Sequence, residues 1–258
     1  MTRQTATTLR LANLRVSIDE ERSLETLVCA RLRIGSGQLR DFTILRQALD
    51  ARREGNISFV YTVEFVVPAA PEKWLKTWTA DKNVTLAALP DDPPLQPGRR
   101  PLPERPVVVG FGPAGMFAAL TLARHGYKPL VLERGPEVET RQLAVRKFWE
   151  RGVLDETANV QFGEGGAGTF SDGNLTTRVH DRLMSEALNT LVEAGAPPEI
   201  RYWYKPHIGT DRLRQVVKNI RQQIEALGGE VRFGRQVTGL RLAAGTLTGL
   251  ILNETELL

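Results

Sequence analysis

The chain has 258 residues, of which 41% are hydrophobic and 25% charged, and its formal net charge is +4. This composition is that of a folded globular protein and excludes disorder along the whole chain. The small excess of Lys and Arg suits an anionic ligand but is too weak to indicate nucleic-acid binding. No apolar run reaches the roughly 20 residues that a bilayer requires, so no membrane span is expected.

The only cysteine, Cys29, excludes a disulfide framework within the chain. It lies in a helix-like apolar stretch, which predicts a buried core residue rather than a reactive thiol. With no secretory signal at the N-terminus, the sequence favours a cytoplasmic protein.

Residues 1–70 are predicted to form a small α/β domain with the order β-α-β-β. The stretch "LRLANLRV" alternates apolar and polar residues, as a half-buried strand does. Helical spacing follows in "SLETLVCARLRI", behind a capping Ser23. Both "DFTILRQALDAR" and "ISFVYTVEFVV" are typical of strands. No residue of this domain predicts catalysis.

Residues 71–105 are predicted to be a proline-rich linker. Prolines crowd residues 90–106, and such a stretch can neither continue a helix nor pair as a central strand. Trp74 and Trp78 have helical spacing just before the prolines, which indicates a short packed helix. A stacking platform for bases is the alternative for these two tryptophans.

Residues 106–258 are predicted to form a Rossmann-like α/β domain that opens on a dinucleotide-binding pattern. Gly110, Gly112 and Gly115 spell G-x-G-x-x-G after an apolar strand and at the start of a helix over residues 113–125. In this pattern the first glycine permits a tight turn, the second a close approach to pyrophosphate, and the third helix packing. The helix N-terminus offers N–H groups and a positive dipole end to phosphate.

An acidic residue ends the second strand, "KPLVLE". Glu133 lies roughly 20 residues after the glycines, where a carboxylate accepts hydrogen bonds from ribose hydroxyls and disfavours a 2′-phosphate. The adjacent Arg134 could face a phosphate or solvent. FAD and NAD both carry adenosine and pyrophosphate, so this pattern alone leaves the cofactor open. A Rossmann-like turn that binds nothing is a further alternative.

A second glycine-rich stretch, "NVQFGEGGAGTFSDGNL", runs from Asn159 to Leu175. Glycine backbone can approach a flat ring or a phosphate with its N–H groups turned inward. A passive loop is the alternative, but Phe162 and Phe170 would anchor the segment and its length is unusual for a connection. We therefore expect it to bind a ligand.

These segments together resemble the FAD-dependent dehydrogenase family of bacterial flavoproteins. The resemblance rests on the two glycine-rich stretches, on "KPHIGTDRL" and "IEALGGEVRFGRQV", and on "DFTILRQALDARR" in the first domain. It implies a glutathione-reductase-like FAD fold with FAD as cofactor. The residues it implies at the cofactor are Gly110, Gly112, Pro113, Ala114, Gly115, Glu133, Arg134, Gly165, Gly166, Ala167, Gly168, Thr169 and Val237.

By this resemblance the first three glycines hold the pyrophosphate and Glu133 the adenosine ribose. The loop around Gly165 would lie along the flavin, and the backbone of Val237 would pass the adenine. Members of the family continue into a further strand, a substrate domain and a segment that closes over the flavin. We therefore expect an incomplete Rossmann-like domain, with parallel strands near residues 107, 130 and 230, which a second chain could complete.

Catalytic residues are not identified. The imidazole of His207 suits proton transfer, but a buried structural histidine is the favoured interpretation. No cysteine pair can form a redox disulfide, and no His/Cys/carboxylate cluster indicates a metal. Since a flavin itself carries the electrons, an FAD-binding oxidoreductase, or its N-terminal part, is the leading interpretation.

A small-molecule substrate or an electron donor such as NAD(P)H is expected as partner. The alternatives are an NAD(P)-binding protein without flavin and a non-catalytic nucleotide-binding fragment.

Overall fold

A computed structural model describes residues 6–52, 55–67, 72–87, 98, 102–170, 173–176 and 183–258. The chain divides into two units, each described by itself below. The first unit comprises Met1–Pro94 with Arg201–Pro206, and the second comprises Leu95–Ile200 with His207–Leu258. Residues 71, 88–97 and 99–101 of the predicted proline-rich linker lie outside the described residues, so the linker itself stays a prediction.

The first unit is built on an antiparallel sheet with the strand order β2-β3-β1-β4. Its helices and strands are β1 (Thr7–Ser17), α1 (Leu24–Leu32), β2 (Arg40–Asp50), β3 (Ser58–Val67), α2 (Glu72–Thr79) and β4 (Val84–Leu86). The first four of these elements follow the predicted β-α-β-β order.

The alternation of buried and more exposed residues along β1 and β3 explains the core of this sheet. Leu9, Leu11, Val63 and Phe65 are completely buried on one face. Burial of each such side chain stabilises the fold by about 1.5–3 kcal/mol. The Ser23 hydroxyl caps α1 by accepting a hydrogen bond from the backbone N–H of Thr26.

The structure extends the first unit beyond the predicted domain. Residues 72–86 lie within the predicted linker, where the spacing of Trp74 and Trp78 indicates a short packed helix, and they form α2 and β4. Trp78 explains the difference, because its ring is buried and its Nε1 donates to the carbonyl of Leu32 at 3.0 Å. Strand β4 then pairs with β1. Trp74 is 42% exposed.

The second unit contains a parallel sheet and an antiparallel one, with orders β5-β6-β7 and β10-β9-β8. Its elements are β5 (Val107–Val109), α3 (Pro113–Arg124), β6 (Leu130–Leu132), α4 (Val138–Arg151), α5 (Leu183–Glu193), α6 (Thr210–Ala226), β7 (Glu230–Arg232), β8 (Val237–Ala243), β9 (Thr246–Leu252) and β10 (Glu256–Leu257). The predicted α/β class, with three parallel strands and a hairpin, is confirmed.

Strand β6 is buried on both faces, as a central parallel strand should be. Val131 belongs to the core formed with α3, α5 and α6, whereas Leu130 and Leu132 pack against Leu250 and Leu252 of the hairpin. Helices therefore cover one face of the parallel sheet and the hairpin covers β6 on the other. Among the described residues, no helix is both long and apolar enough to cross a membrane.

Candidate dinucleotide-binding site

The turn between β5 and α3 has the geometry that its glycines predict. Gly110 continues the sheet by donating its N–H to the carbonyl of Leu132 at 2.8 Å, and its φ of +91° favours glycine. A Cβ atom on Gly115 would lie 1.9 Å from the Gly110 oxygen. Only a residue without a side chain therefore lets α3 pack this closely on the turn.

The start of α3 presents backbone donors at the end of β5. Gly112 is the N-cap, Pro113 is the first helical residue, and the first helical bond runs from Met116 N–H to the Gly112 carbonyl at 2.9 Å. The N–H groups of Ala114 and Gly115 lie in the first turn, where helix geometry provides no acceptor within the helix. Together with the helix dipole, these donors suit a phosphate group.

Glu133 is 5% exposed, and its carboxylate forms hydrogen bonds with the backbone around it. One oxygen accepts the N–H of Phe111 at 2.7 Å and the other accepts the N–H of Gly135 at 2.9 Å. Each carboxylate oxygen can accept a second hydrogen bond. Glu133 therefore shapes the glycine turn and keeps acceptor capacity for a ligand, whereas the sequence predicted only the second role.

The two glycine-rich segments pack against each other through their backbones. Gly165 donates its N–H to the carbonyl of Phe111 at 2.8 Å. A Cβ atom on Gly166, whose φ is +64°, would lie 3.2 Å from the Cα atom of Gly112. The sequence predicted both segments at the cofactor but could not show that they touch.

A cleft of about 330 Å³ opens where the two segments meet, beside the carboxyl ends of β5 and β6. The residues that line it are Val109, Gly110, Gly112, Leu132, Glu133, Arg134, Gln161, Phe162, Gly163, Gly166, Arg235, Gln236 and Val237. Ligands of open α/β sheets bind at the carboxyl ends of the strands, and the volume is within the usual range for ligand pockets.

Six predicted site residues line this cleft: Gly110, Gly112, Glu133, Arg134, Gly166 and Val237. The remaining seven lie beside or behind it, namely Pro113, Ala114, Gly115, Gly165, Ala167, Gly168 and Thr169. Those after Gly166 curl into a 3₁₀ turn over Ala167–Phe170. Thr169 is buried and its hydroxyl donates to the carbonyl of Glu164 at 3.4 Å, so this side chain stabilises the loop.

Arg134 stacks its guanidinium 3.8 Å from the ring centroid of Phe162 at the wall of the cleft. Its Nε is buried and has no hydrogen-bond acceptor among the described atoms. A buried donor without an acceptor is costly. The sequence left Arg134 open between a phosphate and solvent, and the structure places it at the cleft.

Two charged residues, Arg141 and Glu164, lie behind the cleft and are each 0% exposed. They were not among the residues that the sequence predicted at the site. Burial lowers the pKa of Arg141 to about 10. Burial also raises the pKa of the Glu164 carboxyl, against the opposing effects of the Val138 N–H and Arg221. The sequence of α4 indicates that Arg141 is buried, because it shares helical spacing with the buried Val138 and Val145.

His207 is exposed and does not line the cleft. A backbone bridge joins it to Asn174. The expectation of a buried histidine is therefore wrong, because the segment lies at the surface. No group of three or more metal-ligating side chains occurs within the part of the chain that the structure describes.

The parallel sheet and its glycine-lined cleft have the geometry of a dinucleotide-binding site. Residues 105–147 match the family model described as "FAD binding domain". The family match confirms the predicted cofactor class, FAD. Residues 8–66 match a second family model, described as "Domain of unknown function (DUF8436)".

A protein from Clostridium beijerinckii, described as "Uncharacterized protein", is 44% identical over 246 residues. The match covers 95% of this chain and 46% of that protein, so the chain spans about half the length of this curated relative.

Solved structures with similar segments include Thermovibrio ammonificans THI4, at 21% identity and a TM-score of 0.35 over 58% of this chain and 48% of that one. Another is the 3-ketosteroid-delta4-(5alpha)-dehydrogenase of Rhodococcus jostii RHA1, at 16% identity and a TM-score of 0.37 over 58% of this chain and 42% of that one.

Proposed function

We propose that this chain is the FAD-binding part of an oxidoreductase. The observation that supports it most is the single cleft in which the G-x-G-x-x-G turn, the acidic strand end and the second glycine-rich segment meet. Backbone packs on backbone there, because a Cβ atom on Gly166 would lie 3.2 Å from the Cα atom of Gly112. The match to the FAD-binding family favours FAD over NAD(P) as the occupant.

Each part of the cleft has a role in this proposal. The turn at Gly110–Gly115 and the first N–H groups of α3 bind the pyrophosphate. Glu133 accepts hydrogen bonds from the ribose hydroxyls, and Val237 offers its backbone to the adenine. Arg134 supplies a buried donor. The segment from Gly165 to Thr169 supports the wall beside the flavin.

Bound FAD would supply hydride and electron transfer, since no protein nucleophile is needed for that chemistry. The protein's own contribution is to bind and orient the cofactor and to exclude water around it. The substrate is proposed to be a small molecule, with NAD(P)H as a candidate electron donor. The cytoplasmic location stays a prediction, which cell fractionation tests.

We also propose that a second polypeptide segment pairs along β5. The register places Val107 and Val109 on the sheet face that bears Leu130 and Leu132. The hairpin buries the two leucines, yet the valines are 40% and 59% exposed. Edge strands with uncovered apolar side chains invite pairing with another strand. Val109→Lys should block such pairing. Sedimentation of the variant mixed with the second polypeptide would then show no complex.

The visible spectrum of the purified protein tests the main proposal. A yellow protein that releases FAD, identified by mass, is the expected result. A colourless protein that binds NADH and cannot be loaded with FAD would contradict it and favour the NAD(P) alternative. If FAD binds but no donor reduces it, dithionite included, the non-catalytic fragment is favoured.

A further inference from the structure

Arg141 directs its guanidinium at the main chain of the segment that leads into the cleft. Its Nε donates to the carbonyl of Asn159 at 2.9 Å, and its Nη2 donates to that of Val160 at 2.7 Å. Its Nη1 donates to the carbonyl of Glu164 at 2.6 Å and, at 3.4 Å, to that of Gly163. One side chain thus provides donors to four carbonyls of an irregular loop.

Glu164 adds a second connection from the same loop. Its Oε2 accepts the N–H of Val138, the first residue of α4, at 2.8 Å. Its Oε1 accepts the Nε of Arg221 on α6 at 2.9 Å, in a salt bridge where the glutamate side chain is 0% exposed. The loop is therefore joined to both helices through buried charge.

Stability alone does not account for this arrangement. Taking charges out of water is expensive, and well-packed apolar residues can often replace a buried ion pair without loss of stability. A loop with few sheet or helix bonds, however, must find other partners for its buried carbonyls. The planar guanidinium supplies several donors at fixed angles, which an apolar side chain or a lysine cannot do.

The loop that Arg141 holds forms one wall of the cleft. Gly163 lines the cleft and packs on Arg141 itself, because a Cβ atom there would lie 2.6 Å from the Arg141 Cδ. Gly166 lines the cleft two residues beyond Glu164. Arg141 and Glu164 are absent from the lining, so they act on the wall from behind.

We propose that Arg141, together with Glu164, is a positioning residue that sets the shape of the glycine-rich wall of the FAD site without touching the cofactor. This inference rests on the proposed function. It assigns to two buried charged side chains the task of holding backbone atoms at the spacing that the cofactor requires.

Arg141→Lys tests the inference, with Arg146→Lys on the exposed face of the same helix as the matched control. The lysine keeps the charge but cannot bond all the carbonyls at once. In ligand-free protein, hydrogen exchange should quicken in residues 159–166. FAD affinity should fall by about tenfold or more, equivalent to one lost hydrogen bond. The visible circular dichroism of bound flavin should also change, and saturating FAD should restore slow exchange. The control should match the wild type throughout.

Wild-type exchange in Arg141→Lys, or quickened exchange with unchanged FAD affinity and spectrum, would overturn the inference. If the wild type itself binds no FAD, the proposed function fails, and the exchange comparison still decides whether Arg141 orders the loop. Should Arg141→Lys not fold, Glu164→Gln replaces it as the variant, since glutamine keeps an acceptor for Arg221 and loses the one for Val138. The same pattern of exchange and affinity is then expected, and its absence overturns the inference.

Discussion

The two units of this protein place their charged side chains differently. In the first unit the ion pairs lie at the surface, as in the contact of Arg15 with Asp50, and the sheet core is apolar. In the second unit Glu133, Arg141 and Glu164 are all buried, and each bonds to backbone atoms.

The reason lies in which groups form hydrogen bonds with the backbone of each unit. Long strand ladders pair the backbone groups of the first unit, so its charges can remain in water. The glycine-rich segments of the second unit lack such ladders, and buried side chains take their place as partners. Buried charge in the second unit thus bonds to the backbone around the cleft, whereas exposed charge adds little to stability.

The largest effect is expected from Gly115→Ala. Its Cβ would lie 1.9 Å from the Gly110 oxygen, so α3 must move away from the turn. FAD binding should be lost, and the free energy of unfolding should fall by about 3 kcal/mol or more. Gly37→Ala in the first unit is the control, because a Cβ there meets no atom within 4 Å. Fluorescence titration with FAD and denaturant unfolding provide the readouts, and equal behaviour of the two variants would refute the turn geometry.

Glu133→Ala comes next and contrasts the units directly. It removes the acceptor of two buried backbone N–H groups and the ribose contact, so stability should fall by about 2 kcal/mol and FAD affinity by about tenfold or more. Glu64→Ala in the first unit removes only the ion pair with Arg10, and a loss below about 1 kcal/mol is expected. Unchanged FAD affinity in Glu133→Ala would contradict its ribose role.

A smaller effect concerns the pH dependence of the first unit. Hydrogen bonds from Arg52 and Arg15 hold the pKa of Asp50 well below its usual range. A lowered pKa in the folded state stabilises the protein above the unfolded-state pKa, which is about 4. That contribution is lost as the pH falls through the folded-state pKa.

Asp50→Asn should therefore flatten the loss of stability below about pH 4, as followed by urea unfolding across pH. Because the side chains of Arg15 and Arg52 are 57% and 81% exposed, the effect should shrink in 1 M salt. An acid dependence unchanged by the substitution would show that other carboxylates control it.

Sequence reasoning was most successful where the determinant is local. Glycine spacing and an acidic strand end specify the turn, because each acts through its own backbone or its immediate neighbours. Arg141 escaped prediction because its acceptors lie on a loop at least 18 residues away along the chain. Trp78 shows the same limit, since its partner Leu32 is 46 residues distant and decides that α2 belongs to the folded unit.

Hydrogen exchange measured with and without FAD tests directly whether the two glycine-rich segments bind the cofactor, because protection from exchange shows where FAD binds. We expect FAD to slow exchange in residues 109–116 and 161–167 of the second unit and to leave exchange unchanged in the strands of the first unit. Wild-type protein that shows no protection in either glycine-rich segment at saturating FAD, or protection only in the first unit, would contradict this expectation.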